Sequence, residues 1–386
     1  MNKRSKLIIL VLIVLMQACS GGSDKGIFNQ PTWVVVDSTN DRFFVLEQLR
    51  QIFAFTASDR SRLGDQPVVN KKRLIDIYDI LPLAPLQSAV YANGSDSRLF
   101  ITGAMANDDG EHVLNRVLVL DFDGTTFTEA SFSPLVLSDG DDATDETDNV
   151  PGGLLVDQAS GRLYLTDSTA GLLYILNAAD GSVVNAPLVI AGIPNKMSLT
   201  GNSLFVANSS TVGAEQVVTV VNTTDFTTAT FDLDAAISDI SVSEVGGSFV
   251  VLAQNTVDNQ VLIRTVSADL TTVAEIGSAT SAAVSGALVS GSGLTGIVGG
   301  LLLTTDASGN LFGYVPQSDG NIELLSFASD VSSFTASELA TVTELIKSPQ
   351  AYENGTGDGL IVYMVAQSSG DLIFTDVGST EVGARF

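Results

Sequence analysis

The sequence predicts an all-β protein assembled from repeated four-stranded sheets, and three observations carry that reading. Short apolar runs separated by turn residues fill the chain from Trp33 onward, with almost no helical periodicity. One stretch, residues 153–184, spells out four strands and their turns in succession. Related stretches then recur along the chain. With 45% hydrophobic residues against 16% charged, the 386-residue chain builds a core and is not an acidic disordered tail.

The clearest unit begins with Leu154-Leu155-Val156-Asp157, turns at Ala159-Ser160-Gly161, and continues through Arg162-Leu163-Tyr164-Leu165-Thr166-Asp167. A second turn at 168–171 leads into Leu172-Leu173-Tyr174-Ile175-Leu176-Asn177, and Asp180-Gly181 reverses the chain into Ser182-Val183-Val184. Asp-Gly is a strong hairpin signal, and it recurs at Asp123-Gly124 and Asp319-Gly320. A pattern of Asp or Asn, four residues, then Arg and an apolar run occurs at Asp37/Arg42, Asn93/Arg98 and Asp157/Arg162. Weaker copies put serine at both polar places, Ser198/Ser203 and Ser243/Ser248. Units at 301–314 and 360–374 keep only a strand-turn-strand core.

One such sheet cannot bury both faces, so copies must stack on one another. Seven units average about 53 residues each, slightly above common propeller blades. The excess has apparent homes in insertions at 57–88, 137–150 and 327–348. Radial closure protects many sheet edges at once, so the expected fold is a seven-bladed β-propeller over residues 31–386. Within 327–348, Thr335-Ala336-Ser337-Glu338 reads as a capping box followed by Leu339, Val342, Leu345 and Ile346 at helical spacing. One short helix is therefore expected near 336–347.

Leu163-Tyr164-Leu165-Thr166-Asp167 with Leu173-Tyr174-Ile175-Leu176-Asn177, and Leu204-Phe205-Val206-Ala207-Asn208 with Val218-Thr219-Val220-Val221-Asn222, resemble the YVTN-type propeller repeat. The resemblance covers 153–233. It implies a seven-bladed fold of the lactonase-like group, whose members include surface-layer, periplasmic and enzymatic proteins, so it speaks to fold more than to function.

Residues 1–18 carry Lys3, Arg4 and Lys6 before an apolar run of about ten residues, too short to span a bilayer and typical of a signal peptide. The run ends at Leu15-Met16-Gln17-Ala18-Cys19, which resembles a bacterial lipobox. That resemblance implies fatty acylation of Cys19, the single cysteine, with residues 19–30 as a flexible tether. Ser20 after the cysteine points to the outer membrane, in a leaflet the sequence does not specify.

Eighteen basic against 44 acidic residues leave a net charge of −26, which repels nucleic acid. One Cys and one His, His112, exclude internal disulfides, thiolate zinc sites and multi-histidine metal centres. The densest polar feature runs from Ser138 to Pro151 and resembles a thrombospondin type 3 calcium loop, with Asp139, Asp141, Asp145 and Asp148 as the implied metal ligands. This run either folds around one hard cation, calcium, or stays a solvated acidic loop. The Gly291-Ser292-Gly293-Leu294-Thr295-Gly296 match to a dinucleotide fingerprint lacks a following helix and reads as turn glycines. Asp37 and Asp157 close innermost-type strands, where a propeller presents side chains to its central channel. They either serve chemistry there or accept backbone hydrogen bonds within their blades, and repetition at equivalent places favours the latter.

The expected function is a non-catalytic, lipid-anchored binding or assembly scaffold at the cell envelope, with a protein or glycan partner. The alternative is a lactonase-like or glycan-cleaving hydrolase using channel carboxylates and a metal. A cluster of unpaired carboxylates in the channel would mark the enzyme, and an apolar channel with acidity at the rims would mark the scaffold.

Overall fold

The computed structural model describes residues 31–47, 51–58, 61, 63, 83–106, 112–137, 149–257, 261–278, 300–316, 321–341, 346–353, 359–365, 372–379 and 384–385. Their strands form successive sheets, each opened by an inner strand: Pro31–Asp37, Leu83–Asn93, Pro151–Asp157, Pro194–Thr200, Ile237–Val245, Leu302–Thr305 and Ile346–Glu353. From each inner strand the sheet grows outward by antiparallel hairpins. The inner strands of consecutive sheets adjoin, and that of the last sheet adjoins the first, so the sheets close into a ring. The architecture is an all-β propeller. The helical content among the described residues is a single 3₁₀ turn, Gly213–Glu215.

Six sheets have at least the four strands of a full blade, against the seven expected. The first sheet, residues 31–56, has three. Beyond its third strand, Gln51–Thr56, Thr56 N donates to Ser61 O at 2.8 Å and Leu63 N to Ala54 O at 2.9 Å.

Among the described residues near 336–347, strand stands where a helix was expected. Ser333–Thr341 is a strand of the sixth sheet, and Ile346–Glu353 is the inner strand of the seventh. The physical reason is a period of two: Phe334 is buried, Thr335 exposed, Ala336 half-buried and Ser337 exposed. A register shift opposite Ile322 and Glu323 then turns Leu339 inward, which produces an apolar spacing that resembles a helix. The described residues of the expected insertion 327–348 therefore belong to blades, and the insertion at 57–88 ends in the second inner strand.

Apolar clusters hold consecutive sheets together. Phe44, Leu99, Leu120 and Phe122 join the first and second sheets, and Phe43, Phe55, Leu372 and Phe374 close the ring between the seventh and the first. Phe43 stacks on Phe55 at 4.8 Å between ring centres and meets Phe374 edge-on at 5.7 Å.

The recurrent arginine has a role between sheets. Arg42 at the start of the second strand of its sheet donates to Phe122 O and lies 5.3 Å from the Phe122 ring centre in the next sheet. Arg98 reaches Ala178 O and Ala179 O and lies 4.9 Å from Phe132, while Arg162 reaches Thr223 O and lies 4.9 Å from Phe226. Each guanidinium thus caps carbonyls at the end of the third strand of the following sheet. Asp37 and Asp157 stand opposite Arg42 and Arg162 in register, whereas Asn93 pairs with Asp96 and Arg98 with Tyr91.

The Asp-Gly turns belong to a wider set. Asp123, Asp180, Asp225, Asp269 and Asp330 each begin the turn between the third and fourth strands, and each accepts the backbone N–H two residues on, at 2.7–3.2 Å. A nearby Ser or Thr hydroxyl donates to the same carboxylate. The next residue takes positive φ: Gly124 and Gly181 do so freely, whereas Phe226 (62°), Leu270 (60°) and Val331 (50°) are held there. A left-handed conformation costs an L-residue roughly 1–2 kcal/mol, which the carboxylate bonds and side-chain burial offset.

Two outcomes follow. Hydrogen bonds hold the five turn carboxyls below their ordinary pKa of 3.8, with hydroxyl or backbone donors leading in each case. Their stabilisation is therefore present above that value and lost as pH falls through the folded pKa. Replacing all five by Asn should flatten the decline of the melting temperature below about pH 4. Arg98, bound to Asp121 through two N–H···O contacts of 2.6 and 2.8 Å, is 7% exposed. Arg98→Met should lower unfolding free energy by about 2–3 kcal/mol in denaturant titration, because it strands both Asp121 and the next sheet's carbonyls.

Candidate functional site in the central channel

The inner strands begin with an irregularity that aims side chains inward. The register against the second strand slips between Pro31 and Trp33, Leu83 and Gln87, Pro151 and Gly153, Pro194 and Met197, Ile237 and Asp239, and Lys347 and Gln350. Proline lacks a ladder donor and suits such a start. A bulge bends the strand and re-aims a side chain. Trp33, Lys196 and Asp239 each stand third in their strands, so they meet near one mouth of the channel. At the third sheet glycine takes this place. A Cβ on Gly153 would sit 2.3 Å from Asn195 O, and one on Gly152 the same distance from Pro194 O.

The channel contains a cavity of about 490 Å³ walled by inner strands of the first six sheets. Val35, Leu154, Leu155, Met197, Leu301 and Leu303 supply an apolar lining. Lys196 lies with its Nζ 4.1 Å from the centre of the Trp33 ring, a cation–π contact. The Trp33 indole N–H donates to Ser88 O at 2.9 Å. Asp239, 5% exposed, accepts from Ile240 N at 2.8 Å and Leu301 N at 3.0 Å. Burial pulls the Lys196 ammonium down to about 8, with the charge of Asp239 resisting. Burial raises the Asp239 carboxyl to about 6, against Lys196 and the two backbone donors. The pair is thus held by mutual attraction in a setting that disfavours both charges.

Asp37 is buried at the end of its inner strand and accepts Asn40 N at 3.1 Å, Asn40 Nδ2 at 2.9 Å and Ser97 Oγ at 2.6 Å. Asp157 accepts Ala159 N at 3.0 Å and Ser160 Oγ at 2.5 Å. Both cap the turn that follows their strand, at the opposite end from Trp33, Lys196 and Asp239. Cys19, Asp139, Asp141, Asp145 and Asp148 lie outside the described residues, as do the 291–296 glycines. His112 belongs to a two-residue strand opposite Ala106. Among the described residues no group of three or more His, Cys, Asp or Glu side chains could hold a metal ion.

Sequence reasoning missed Lys196 and Asp239. Their signal is present: a lysine and an aspartate each third in an otherwise strand-like run that follows a turn. Nothing local distinguishes a channel-facing charge from one in solvent.

No protein-family model and no curated protein matches this sequence. Solved structures do match. They include U3-55K, with a TM-score of 0.57 and 14% identity over 89% of this chain and 91% of that one. The RRP9 WD40 repeats match at 0.57 and 15% over 90% of each chain, and BBS1N in complex with ARL6DN at 0.57 and 12% over 91% and 93%. The chain is a β-propeller. At such identity the likeness shows the fold alone.

The channel pair yields a measurable pH dependence. Between about 8 and its ordinary 10.5, Lys196 binds fewer protons in the folded chain than in the unfolded one, so its contribution to stability rises with pH over that interval. Lys196→Met should lack that rise, so the difference between the wild-type and variant urea midpoints should grow with pH over that interval. Parallel pH curves for wild type and variant would refute it.

Proposed function

We propose that this protein is a lipid-anchored β-propeller that acts as a non-catalytic binding or assembly scaffold at the cell envelope. The observation that carries this reading is where the carboxylates go. The described rim aspartates Asp37, Asp123, Asp157, Asp180, Asp225, Asp269, Asp306 and Asp330 accept hydrogen bonds inside their own turns. Among the described residues lining the channel, Asp239 is the one acid in a largely apolar wall. A set of unpaired channel carboxylates, which hydrolysis would use as acid, base or metal ligands, is not what these residues form. BBS1N, of like fold, was crystallised in complex with ARL6DN. Partner binding of that kind suits a rigid ring whose polar turns are internally satisfied.

In this reading Cys19 carries the lipid that holds the chain to the outer membrane, residues 19–30 form the tether, and the partner is a protein or a glycan. The first sheet serves as a seventh blade, and residues 153–233 represent a YVTN-type repeat. Asp139, Asp141, Asp145 and Asp148 would hold calcium. The loop that contains them leaves from buried Leu137, whose N–H bonds Asn115 O at 2.8 Å, and returns at buried Asn149 beside Val150, whose carbonyl accepts Ser168 N at 2.9 Å. Fixed ends of this kind lower the closure entropy of a cation-binding turn built between them. Calcium there would supply structural charge neutralisation.

The test is crosslinking and pull-down of the lipidated chain from membranes, in millimolar calcium and in chelator, beside Cys19→Ala. A reproducible partner from wild-type membranes, with Cys19→Ala released to the soluble fraction, is the expected result. Recovery of no reproducible partner in either condition would defeat the scaffold reading.

A further inference from the structure

We infer that Lys196 is the reactive amine of a covalent binding site at the channel mouth, which takes a small aldehyde on an apolar stem as an imine. This inference is independent of the scaffold role. It rests on the geometry of one lysine nitrogen, which stands over an indole ring in an apolar cavity and is held by no acceptor.

Lys196 is half-buried and lines the cavity of about 490 Å³, a volume that accommodates small molecules. Among the described residues no acceptor takes a hydrogen bond from its Nζ, and no carboxylate stands within ion-pair distance of it. Asp239 lines the same cavity and acts on Lys196 through space, while its two oxygens are bonded to Ile240 N and Leu301 N. The centre of the Trp33 ring lies 4.1 Å from the nitrogen, and the indole is fixed by its bond to Ser88 O. Val35, Leu154, Met197 and Leu301 supply a wall that suits a hydrocarbon stem and shields the bond formed there from water.

Such a setting makes a nucleophile of a lysine. Burial pulls its ammonium from 10.5 to about 8, so about a tenth of the molecules carry a neutral amine at pH 7, against roughly one in three thousand for an ordinary lysine. The amine lone pair attacks the aldehyde carbon, an N–C bond forms, and a proton passes from nitrogen to oxygen to give a carbinolamine. The C–O bond then breaks, and the oxygen leaves as water with the proton that the ammonium first released to solvent. Summed, an ammonium and an aldehyde become a protonated imine and water. One positive charge stood there before and one stands there after. The charge that Asp239 matches is therefore kept beside the Trp33 ring, whereas an acid would add a charge with no counterpart in the cavity.

The test is reductive trapping. The full chain is incubated with hexanal and sodium cyanoborohydride at pH 7, and the hexyl adducts are mapped by peptide mass spectrometry, with Lys25, Lys71, Lys72 and Lys347 as internal references. Expected is an early adduct on Lys196, formed at least about tenfold faster than on any of those four. Its initial rate should saturate with hexanal concentration, as binding in a cavity requires, while the others stay linear. Trp33 is the single tryptophan, so without the reductant hexanal should change its emission reversibly, and Lys196→Arg, which keeps the charge facing Asp239, should lose that change. The trapping experiment needs only the wild-type chain and stands if Lys196→Arg fails to fold. Adducts spread evenly over the lysines, a Lys196 rate linear in hexanal, or the same emission change in a folded Lys196→Arg protein would overturn the assignment.

Discussion

The inner edge of each sheet is the constraint on which the rest of this structure depends. A sheet in a closed ring turns its innermost strand toward its neighbours, and that strand's outward-pointing backbone groups on the free edge find no ladder. Left unpaired and buried, each would cost about 1–3 kcal/mol. Side chains of adjacent inner strands meet this need. Gln87 donates to Gly152 O at 2.7 Å and accepts Leu154 N at 3.1 Å. Gln158 makes the same double contact with Val90 O and Ala92 N. Further round, Ser198 accepts Val242 N and Ser241 accepts Leu303 N. Polar residues in the inner strands are thus fasteners between sheets.

The same logic explains the outer parts of the ring. Sheets are joined by apolar clusters whose members come from neighbouring units, and the repeated arginines tie the second strand of one sheet to the third-strand end of the next. The channel mouth departs from this pattern. Asp239 is a fastener on Leu301, but its charge also faces Lys196, and Lys196 fastens nothing. A protein that meets its edge requirements with neutral Gln and Ser elsewhere places two charges of opposite sign in an apolar cavity here. Local departures from an otherwise consistent scheme are where function is to be sought.

Much of the fold was legible from residues 153–233, where alternation, Asp-Gly turns and arginine spacing all agree. The strands Arg162–Asp167 and Leu172–Asn177 coincide with the runs read from the sequence. The turns at Asp225-Phe226, Asp269-Leu270 and Asp330-Val331 escaped because their left-handed residue is not glycine, and only a Ser or Thr two residues after the Asp betrays them. Residues 336–347 misled for a different reason. A bulge in a strand shifts an apolar residue by one place, and the resulting spacing imitates a helical stripe.

The sequence by itself determined the strand periodicity, the turn chemistry and the recurrence of a unit too small to bury both its faces. These are local properties, governed by backbone sterics and by hydrogen bonds within a few residues. Tertiary structure alone decided which side chains share the channel. Trp33, Lys196 and Asp239 are separated in the chain by whole blades, and only ring closure with bulged strand starts brings the third residues of different strands to one mouth. Their burial, and with it the displaced titration of Lys196 and Asp239, comes from surroundings supplied by other sheets.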